Sequence, residues 1–187
     1  MITGAGGSVG SELVKQIAQK HPKRIVLFER SELALYQIEH ELKKISQSLK
    51  TDNEDTQNQD AGFEIVTVLG SITDQNLVQR AITANQVETI YHAAAYKLIP
   101  FIERHPLTAI ENNIIGTTTV ATMASQLGVE LFVFVSTDLA HEPGHVMGAS
   151  KRFSEKHLKA LAAQSGNKTI FTSVRFGNVL GSGDSVV

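Results

Sequence analysis

Short apolar runs alternate with amphipathic segments along most of this chain. Runs rich in apolar and β-branched residues predict strands at 24–28, 63–69, 88–92, 131–135 and 169–176. Apolar residues that recur every three or four positions predict helices at 11–20, 35–49, 76–84, 106–126 and 146–164. Strands that alternate with helices in this way are typical of an α/β fold built on a parallel sheet.

A glycine-rich turn precedes the first predicted helix. Gly4, Gly7 and Gly10 are spaced by three residues, as in loops that bind dinucleotides. The first glycine permits a tight turn, the second lets the backbone approach a pyrophosphate, and the third lets the helix pack on a strand. Backbone N–H groups at the helix N-terminus would then face the phosphates. The predicted cofactor contacts of this loop are Gly4, Gly7, Ser8, Val9 and Gly10. We therefore predict a dinucleotide-binding loop.

The residues that follow the second and third strands bear on whether the loop binds NAD or NADP. Glu29 ends the second strand and favours NAD, because a carboxylate there accepts hydrogen bonds from the adenosine ribose. Arg30 beside it would pair with a 2′-phosphate, so NADP stays open. Ser71 and Ile72 follow the third strand, where an adenine-facing carboxylate is often found. A serine at this position weakens that contact.

Polar side chains gather where the fifth predicted strand ends. Thr137 and Asp138 follow the run 131–135, and the next helix bears Met147 and, one turn later, Lys151. Residues four apart on a helix share a face. Ligands of parallel α/β sheets bind beyond the carboxyl ends of the strands, so we expect the chemistry here.

Composition limits the class of protein. The chain has 187 residues, of which 42% are hydrophobic and 19% charged, as in an ordinary globular domain. A net charge of −2 gives no basic footprint for nucleic acid, and the absence of cysteine excludes disulfides and thiolate metal sites. No apolar run approaches the roughly 18 residues that span a bilayer. We expect a cytoplasmic protein with no membrane segment in this chain.

The histidines do not indicate a metal site. His92 ends a predicted buried strand and is expected to be a hydrogen-bonded core residue. Four further histidines have no second metal-ligating residue at a spacing that would let both bind one ion: His21, His40, His105 and His157. We therefore predict no metal.

The two ends of the chain look cut. It begins inside the glycine loop and closes on a glycine- and serine-rich stretch at 181–187. We expect a Rossmann-type doubly wound parallel sheet over 1–187, truncated at both ends, with an incomplete first strand.

Several motifs occur in the order found in one known family. They are Thr3 to Gly10, Phe28 to Leu35, His92 to Lys97, Asn113 to Thr117, Ser136 to Asp138, Met147 to Lys151 and Arg175 to Leu180. The chain resembles, over nearly its whole length, the nucleotide-sugar 4,6-dehydratases of polysaccharide biosynthesis. These form the CapD-like branch of the extended short-chain dehydrogenase/reductase family. The resemblance implies NAD(P), a UDP-N-acetylhexosamine substrate, a homodimer or higher oligomer, and a C-terminal substrate region that is missing here. A longer parent protein would be membrane-tethered.

The resemblance implies a reaction and a role for each residue. In the family, hydride leaves sugar C4, water is lost across C5 and C6, and hydride returns to C6. Thr137 would bond O4, Asp138 would protonate the C6 hydroxyl, and Lys151 would hold the nicotinamide ribose. Met147 replaces the tyrosine of most relatives, and a thioether accepts no proton at neutral pH.

The resemblance also assigns residues outside the catalytic segment. Ala93, Ala94 and Ala95 would line the cofactor. The predicted substrate contacts are Lys97, Asn113, Arg175 and Asn178. From the residues alone, Lys97 is either a surface lysine or a phosphate or sugar contact. Asn113 is unusual inside a helix and is expected to bond something specific.

Leu139 departs from the family pattern in the catalytic segment. The family has lysine there, proposed as the base at C5, and leucine has no proton chemistry. His141 or His145 would be a substitute base, since imidazole titrates near neutral pH. Three interpretations stay open: a dehydratase with impaired activity, a nucleotide-sugar epimerase or reductase, and a non-catalytic dinucleotide-binding module.

Overall fold

The computed structural model describes residues 1–51, 62–177 and 179. Its sheet consists of parallel strands in the order β3-β2-β1-β4-β5-β6. The strands are β1 (Ile2–Thr3), β2 (Arg24–Glu29), β3 (Glu64–Leu69), β4 (Thr89–His92), β5 (Leu131–Thr137) and β6 (Ile170–Phe176). This is the predicted Rossmann-type parallel sheet, and the strand order reverses direction between β1 and β4.

The helices fall between the strands, as the pattern predicts. They are α1 (Ser8–Ala18), α2 (Glu32–Thr51), α3 (Gln75–Ala84), α4 (Ile99–Arg104), α5 (Pro106–Ile110), α6 (Thr117–Gln126) and α7 (Val146–Ala162). A π-helical turn (Glu111–Gly116) joins α5 to α6, and a 3₁₀ turn (Asp138–Ala140) follows β5. None of these described helices is both long enough and apolar enough to cross a membrane.

Apolar side chains cover the sheet from both faces. On one face, Val14 and Leu42 from α1 and α2 pack with Leu27 of β2. On the other face, residues of α3, α6 and α7 pack on the strands together with fully buried Phe132 of β5. The sheet is therefore doubly wound, and the loops at the carboxyl ends of β1 and β4 are free to form a site.

The bounds of the first helix differ from the prediction, and the structure has an additional short helix. The first helix begins at Ser8 and ends at Ala18, because extended Gly7 is its N-cap and the following residues turn directly into helix. The sequence also gave no sign of α4, which starts after Leu98 with Pro100 in its first turn. A proline there is compatible with a helix start, since its missing N–H is not needed.

The long helix predicted at 106–126 is interrupted. The π turn at Glu111–Gly116 adds one wide turn between α5 and α6, and it places Asn112 and Asn113 in the interior. π turns are often found at functional sites. A period of 3.6 residues cannot distinguish such a turn from regular helix, so the sequence pattern missed it.

Candidate functional site

A groove crosses the carboxyl ends of the strands on both sides of the glycine loop. Its β2-side cavity has a volume of about 210 Å³ and includes Glu29 and Ile72. Its β5-side cavity, of about 410 Å³, includes Thr137 and Lys151. Both cavities share Gly7, Ala93 and Ala95 in their walls, so they form one continuous groove.

The glycine loop is packed too closely for side chains. Gly4 has a φ of +66°, and a Cβ there would lie 2.7 Å from the Ala94 Cα. A Cβ on Gly10 would lie 2.0 Å from the Gly4 carbonyl oxygen. The predicted spacing of glycines therefore has a steric cause, and it brings the N-terminus of α1 to the middle of the groove, with Ser8 and Val9 in the β5-side wall.

Glu29 presents a fixed carboxylate in the β2-side cavity. One oxygen accepts hydrogen bonds from the backbone N–H of Arg30 at 2.9 Å and of Ser31 at 3.0 Å. The other accepts from the backbone N–H of Gly6 at 3.1 Å. These bonds hold the acceptor oxygens at one position in the wall. The Arg30 guanidinium instead donates to the Tyr96 hydroxyl and lies 5.1 Å from the centre of that ring.

Ser71 and Ile72 lie beside the same cavity but differ in orientation. Ile72 is 4% exposed and lines the β2-side cavity. The Ser71 hydroxyl lies 2.8 Å from the Thr73 hydroxyl and accepts the Thr73 backbone N–H at 3.2 Å. Ser71 therefore stabilises its own turn.

Lys151 is the buried cation of the β5-side cavity. Its ammonium donates to the Val135 carbonyl at 2.7 Å and lies 4.6 Å from the centre of the Phe134 ring. Burial lowers the pKa of Lys151 to about 8, and the Glu155 carboxylate partly opposes this effect. At neutral pH the group is mostly charged, yet it loses its proton more readily than an exposed lysine.

Thr137 and Asp138 form a hydrogen-bonded pair at the end of β5. The Thr137 hydroxyl donates to Asp138 Oδ1 at 3.0 Å, and the Leu139 backbone N–H donates to the same oxygen at 2.8 Å. The side chain of Leu139 lines the β5-side cavity and is 37% exposed. At position 139, where the resemblance leads us to expect a base, the side chain in the cavity wall is therefore an alkyl group.

Met147 lies in the same wall as Lys151, as their spacing predicts. It is 7% exposed and belongs to a small apolar cluster with Ile102 and Ala109. Among the described residues that line the β5-side cavity, neither His141 nor His145 appears. A substitute base would have to line this cavity, and neither His141 nor His145 does so.

The residues predicted to contact substrate have different surroundings. Lys97 lines the β5-side cavity, and its ammonium donates to the Ser8 hydroxyl at 3.4 Å, beside the N-terminus of α1. Arg175 forms an ion pair with Glu155, with 2.8 Å between Nε and the nearer carboxylate oxygen. Asn178 lies outside the described residues.

Asn113 fixes the loop that follows β4. It is 1% exposed, and its amide oxygen accepts the Tyr96 N–H at 2.8 Å while its amide nitrogen donates to the Tyr96 carbonyl at 2.9 Å. The prediction that this asparagine bonds something specific is confirmed. Its amide is used by Tyr96, so any effect on substrate would act through the position of that loop.

His92 is a fully buried core residue, as predicted. Its Nδ1 lies 2.7 Å from the Thr3 hydroxyl oxygen, and its Nε2 lies 2.9 Å from that of Thr117. Burial, with a smaller effect of the charge on Lys151, lowers the pKa of His92 to about 3. The ring is therefore neutral at physiological pH.

The pKa of His92 predicts a loss of stability in acid. Unfolded histidine titrates near pH 6.5 and folded His92 near 3, so between these values only the unfolded chain binds the proton. The free energy of unfolding should fall by about 1.4 kcal/mol for each pH unit below about 6.5. Urea denaturation at pH 7 and pH 5 measures it. His92→Gln should flatten this dependence and the exposed His21→Asn should not; equal slopes in all three proteins would contradict the assignment.

Sequence reasoning missed several residues that shape the groove. Asn112 lines the β2-side cavity, and Glu103 of α4 accepts the Val146 N–H at 2.6 Å, which caps α7. Glu155 accepts a hydrogen bond from the Ser136 hydroxyl at 2.5 Å. The doublet of asparagines within a helical pattern was a usable signal for Asn112. The other two contacts join segments distant in sequence and left no local signal.

The strand order, the glycine loop and the strand-end groove define a Rossmann-type domain of the short-chain dehydrogenase/reductase kind. The chain matches the family described as polysaccharide biosynthesis protein over residues 1–187. It belongs to that family.

Individual relatives agree with this assignment. The capsular polysaccharide biosynthesis protein CapD of Staphylococcus aureus is 38% identical over all of this chain and 29% of its own length. A UDP-N-acetylglucosamine 4,6-dehydratase (inverting) of Campylobacter jejuni is 32% identical over all of this chain and 51% of its length. The structure of Pen from Bacillus thuringiensis superimposes with a TM-score of 0.81 at 31% identity, over 99% of this chain and 52% of that one. The chain thus spans 29% and 51% of the length of these two curated relatives.

Proposed function

We propose that this chain is the cofactor-binding part of an NAD-dependent nucleotide-sugar 4,6-dehydratase that acts on a UDP-N-acetylhexosamine in surface polysaccharide biosynthesis. The observation that supports this function best is that Thr137, Met147 and Lys151 share one cavity wall with the glycine loop. A 32% identical relative bears the name of such a dehydratase.

The groove fits a dinucleotide. The glycine loop leaves no room for side chains, so backbone N–H groups at the N-terminus of α1 approach the pyrophosphate position directly. Glu29 supplies acceptors for the adenosine ribose in the β2-side cavity, and Lys151 supplies a cation in the β5-side cavity. Arg30 is engaged with Tyr96, which favours NAD over NADP because the guanidinium already has a partner. NAD, when bound, accepts and returns a hydride.

The described side chains divide the proton chemistry among them. The Thr137 hydroxyl would bond sugar O4, and Lys151, which lines the same cavity, would supply positive charge near that oxygen. Thr137 and the Leu139 N–H hold one oxygen of the Asp138 side chain in position, and the other oxygen, when it carries a proton, would donate that proton to the leaving C6 hydroxyl. Met147 moves no proton and closes the apolar side of the wall. Lys97 at the N-terminus of α1 adds charge on the phosphate side of the substrate.

Leu139 favours a second candidate function. A dehydratase must remove the C5 proton, and the side chain at this position has no basic atom. An epimerase or reductase of the same substrate class keeps the hydride transfer at C4 and does not need this base. The third interpretation, a non-catalytic dinucleotide-binding module, requires only the groove.

One assay distinguishes these functions. The full-length protein, incubated with NAD and UDP-N-acetylglucosamine, should form a 4-keto-6-deoxy product that mass spectrometry detects as the loss of one water. An epimerised sugar of unchanged mass would support the second candidate. NADH binding without turnover of any UDP-sugar would leave only the binding module.

A further inference from the structure

A carboxylate lies one helical turn beyond Lys151 on α7. Glu155 and Lys151 are four residues apart, so they lie on the same side of the helix. The Glu155 side chain is 13% exposed and accepts hydrogen bonds from two strands, through Ser136 of β5 and Arg175 of β6. The proposed reaction assigns no role to this carboxylate.

Ser136 and Arg175 stand beside each other in the sheet, as register partners of β5 and β6. The Ser136 hydroxyl donates to Glu155 Oε1 at 2.5 Å, and Arg175 Nε donates to the same oxygen at 2.8 Å. A second nitrogen of the guanidinium donates to Oε2, which makes the ion pair bidentate and therefore geometrically specific. Glu155 thus fastens both strands to α7.

Two consecutive residues hold the end of β5 to α7. The Val135 carbonyl accepts from the Lys151 ammonium at 2.7 Å, and the next residue, Ser136, donates to Glu155. Thr137 follows directly and lines the β5-side cavity together with Lys151. The strand is therefore fixed just before the hydroxyl that the proposed reaction uses.

Glu155 also acts on the charge of Lys151. Burial lowers the pKa of Lys151 to about 8, and the Glu155 carboxylate opposes this lowering because it favours the charged ammonium. Other titratable or charged groups on the elements around this part of α7 are a neutral histidine, two carboxylates and three cations: His92, Glu103, Asp138, Lys97, Arg152 and Arg175.

We propose that Glu155 and Arg175 form a positioning pair that holds the end of β5 against α7 and sets how strongly Lys151 keeps its positive charge. Glu155 supports that charge, and Arg175 limits the support because it neutralises part of the same carboxylate. The part that this charge plays in turnover rests on the proposed function.

Two variants should shift the titration of Lys151 in opposite directions. In protein labelled with ¹³C at lysine Cε, NMR follows the ionisation of Lys151, whose signal is assigned by its absence from Lys151→Arg. Glu155→Gln keeps the shape of the side chain and removes its charge, so the midpoint should fall by about one pH unit from a value near 8. Arg175→Gln leaves the carboxylate without its cation, so the midpoint should rise by about half a unit.

These directions separate an effect of charge from a loss of structure. A disrupted site would expose Lys151 to water and raise its midpoint towards roughly 10.4 in both variants. Arg175→Lys keeps the positive charge and should restore the unmodified midpoint. The exposed Lys159→Gln removes a cation about two turns away on α7 and should leave the midpoint unchanged.

A midpoint for Glu155→Gln at or above that of the unmodified protein would overturn the inference. If Glu155→Gln does not fold, equal midpoints for Arg175→Gln and Arg175→Lys would overturn it instead. Turnover of the full-length protein tests the proposed function separately, because its alkaline limb should move with the NMR midpoint. A limb that stays fixed while the midpoint moves as expected would contradict the proposed role of Lys151 in the reaction and uphold the effect of the pair on its charge.

Discussion

Replacing Leu139 with lysine in the full-length protein should raise the rate of 4,6-dehydration by about 100- to 10,000-fold, the usual contribution of a positioned general base. The Leu139 side chain already lines the β5-side cavity beside Lys151, so an ammonium group at this position enters the same space. The positive charge of Lys151 would lower the pKa of the new lysine and favour its basic form. Release of the 4-keto product, followed by mass spectrometry, gives the rate.

The matched control for this change is Leu139→Met, which has a similar length and no proton chemistry. It should leave the rate close to that of the unmodified protein. If Leu139→Lys binds NADH normally and forms no more product than Leu139→Met, the missing lysine is not what limits turnover, and the epimerase or binding-module interpretation gains support.

Replacing Lys151 with methionine should lower turnover of the full-length protein by about 100- to 1,000-fold, because the proposed mechanism uses the charge of Lys151 beside the reacting oxygen. Methionine preserves an unbranched side chain in a site where Lys151 is only 7% exposed. NADH affinity, measured separately by fluorescence, should fall much less than turnover if the charge acts mainly on the reacting oxygen.

Lysine and arginine at position 151 should differ in their dependence on pH. Since burial lowers the pKa of Lys151 to about 8, its positive charge, and turnover with it, should decline as pH rises through that value. Lys151→Arg keeps its charge throughout this range and should flatten the alkaline limb, even if its larger group lowers the rate at pH 7. An identical alkaline limb in both proteins would exclude Lys151 as its source.

Much of the fold could be predicted from local patterns. The alternation of strands and helices indicates a parallel sheet, and the spacing of Gly4, Gly7 and Gly10 marks where its first loop turns. Aspartate just before a helical run is a common N-cap, and the Asp74 carboxylate accepts the Leu77 N–H at the start of α3. These features depend on a few neighbouring residues, so the sequence contains enough information to find them.

The groove was less predictable because distant segments build it. The pairing of Arg175 with Glu155 joins β6 to α7, and nothing in either segment indicates it. The same holds for Glu103, which caps a helix 43 positions further along the chain. The π turn depends on a one-residue change in helical pitch, which a hydrophobic pattern does not resolve. Contacts of this kind follow from packing and need the three-dimensional structure.

The hydrogen bonds of buried His92 can be assigned one donor-to-acceptor direction. The Thr117 hydroxyl donates its one proton to the Asn113 carbonyl at 2.7 Å, so it can only accept from His92 Nε2. The ring is therefore the Nε2–H tautomer, and its Nδ1 must accept the hydroxyl proton of Thr3. Every donor in this series points from β1 towards the π turn. A chain of hydrogen bonds with one fixed direction thus joins β1 to the π turn that positions Tyr96. A valine in place of Thr117 would leave the His92 Nε2–H without an acceptor and would remove one of the hydrogen bonds to the Asn113 carbonyl.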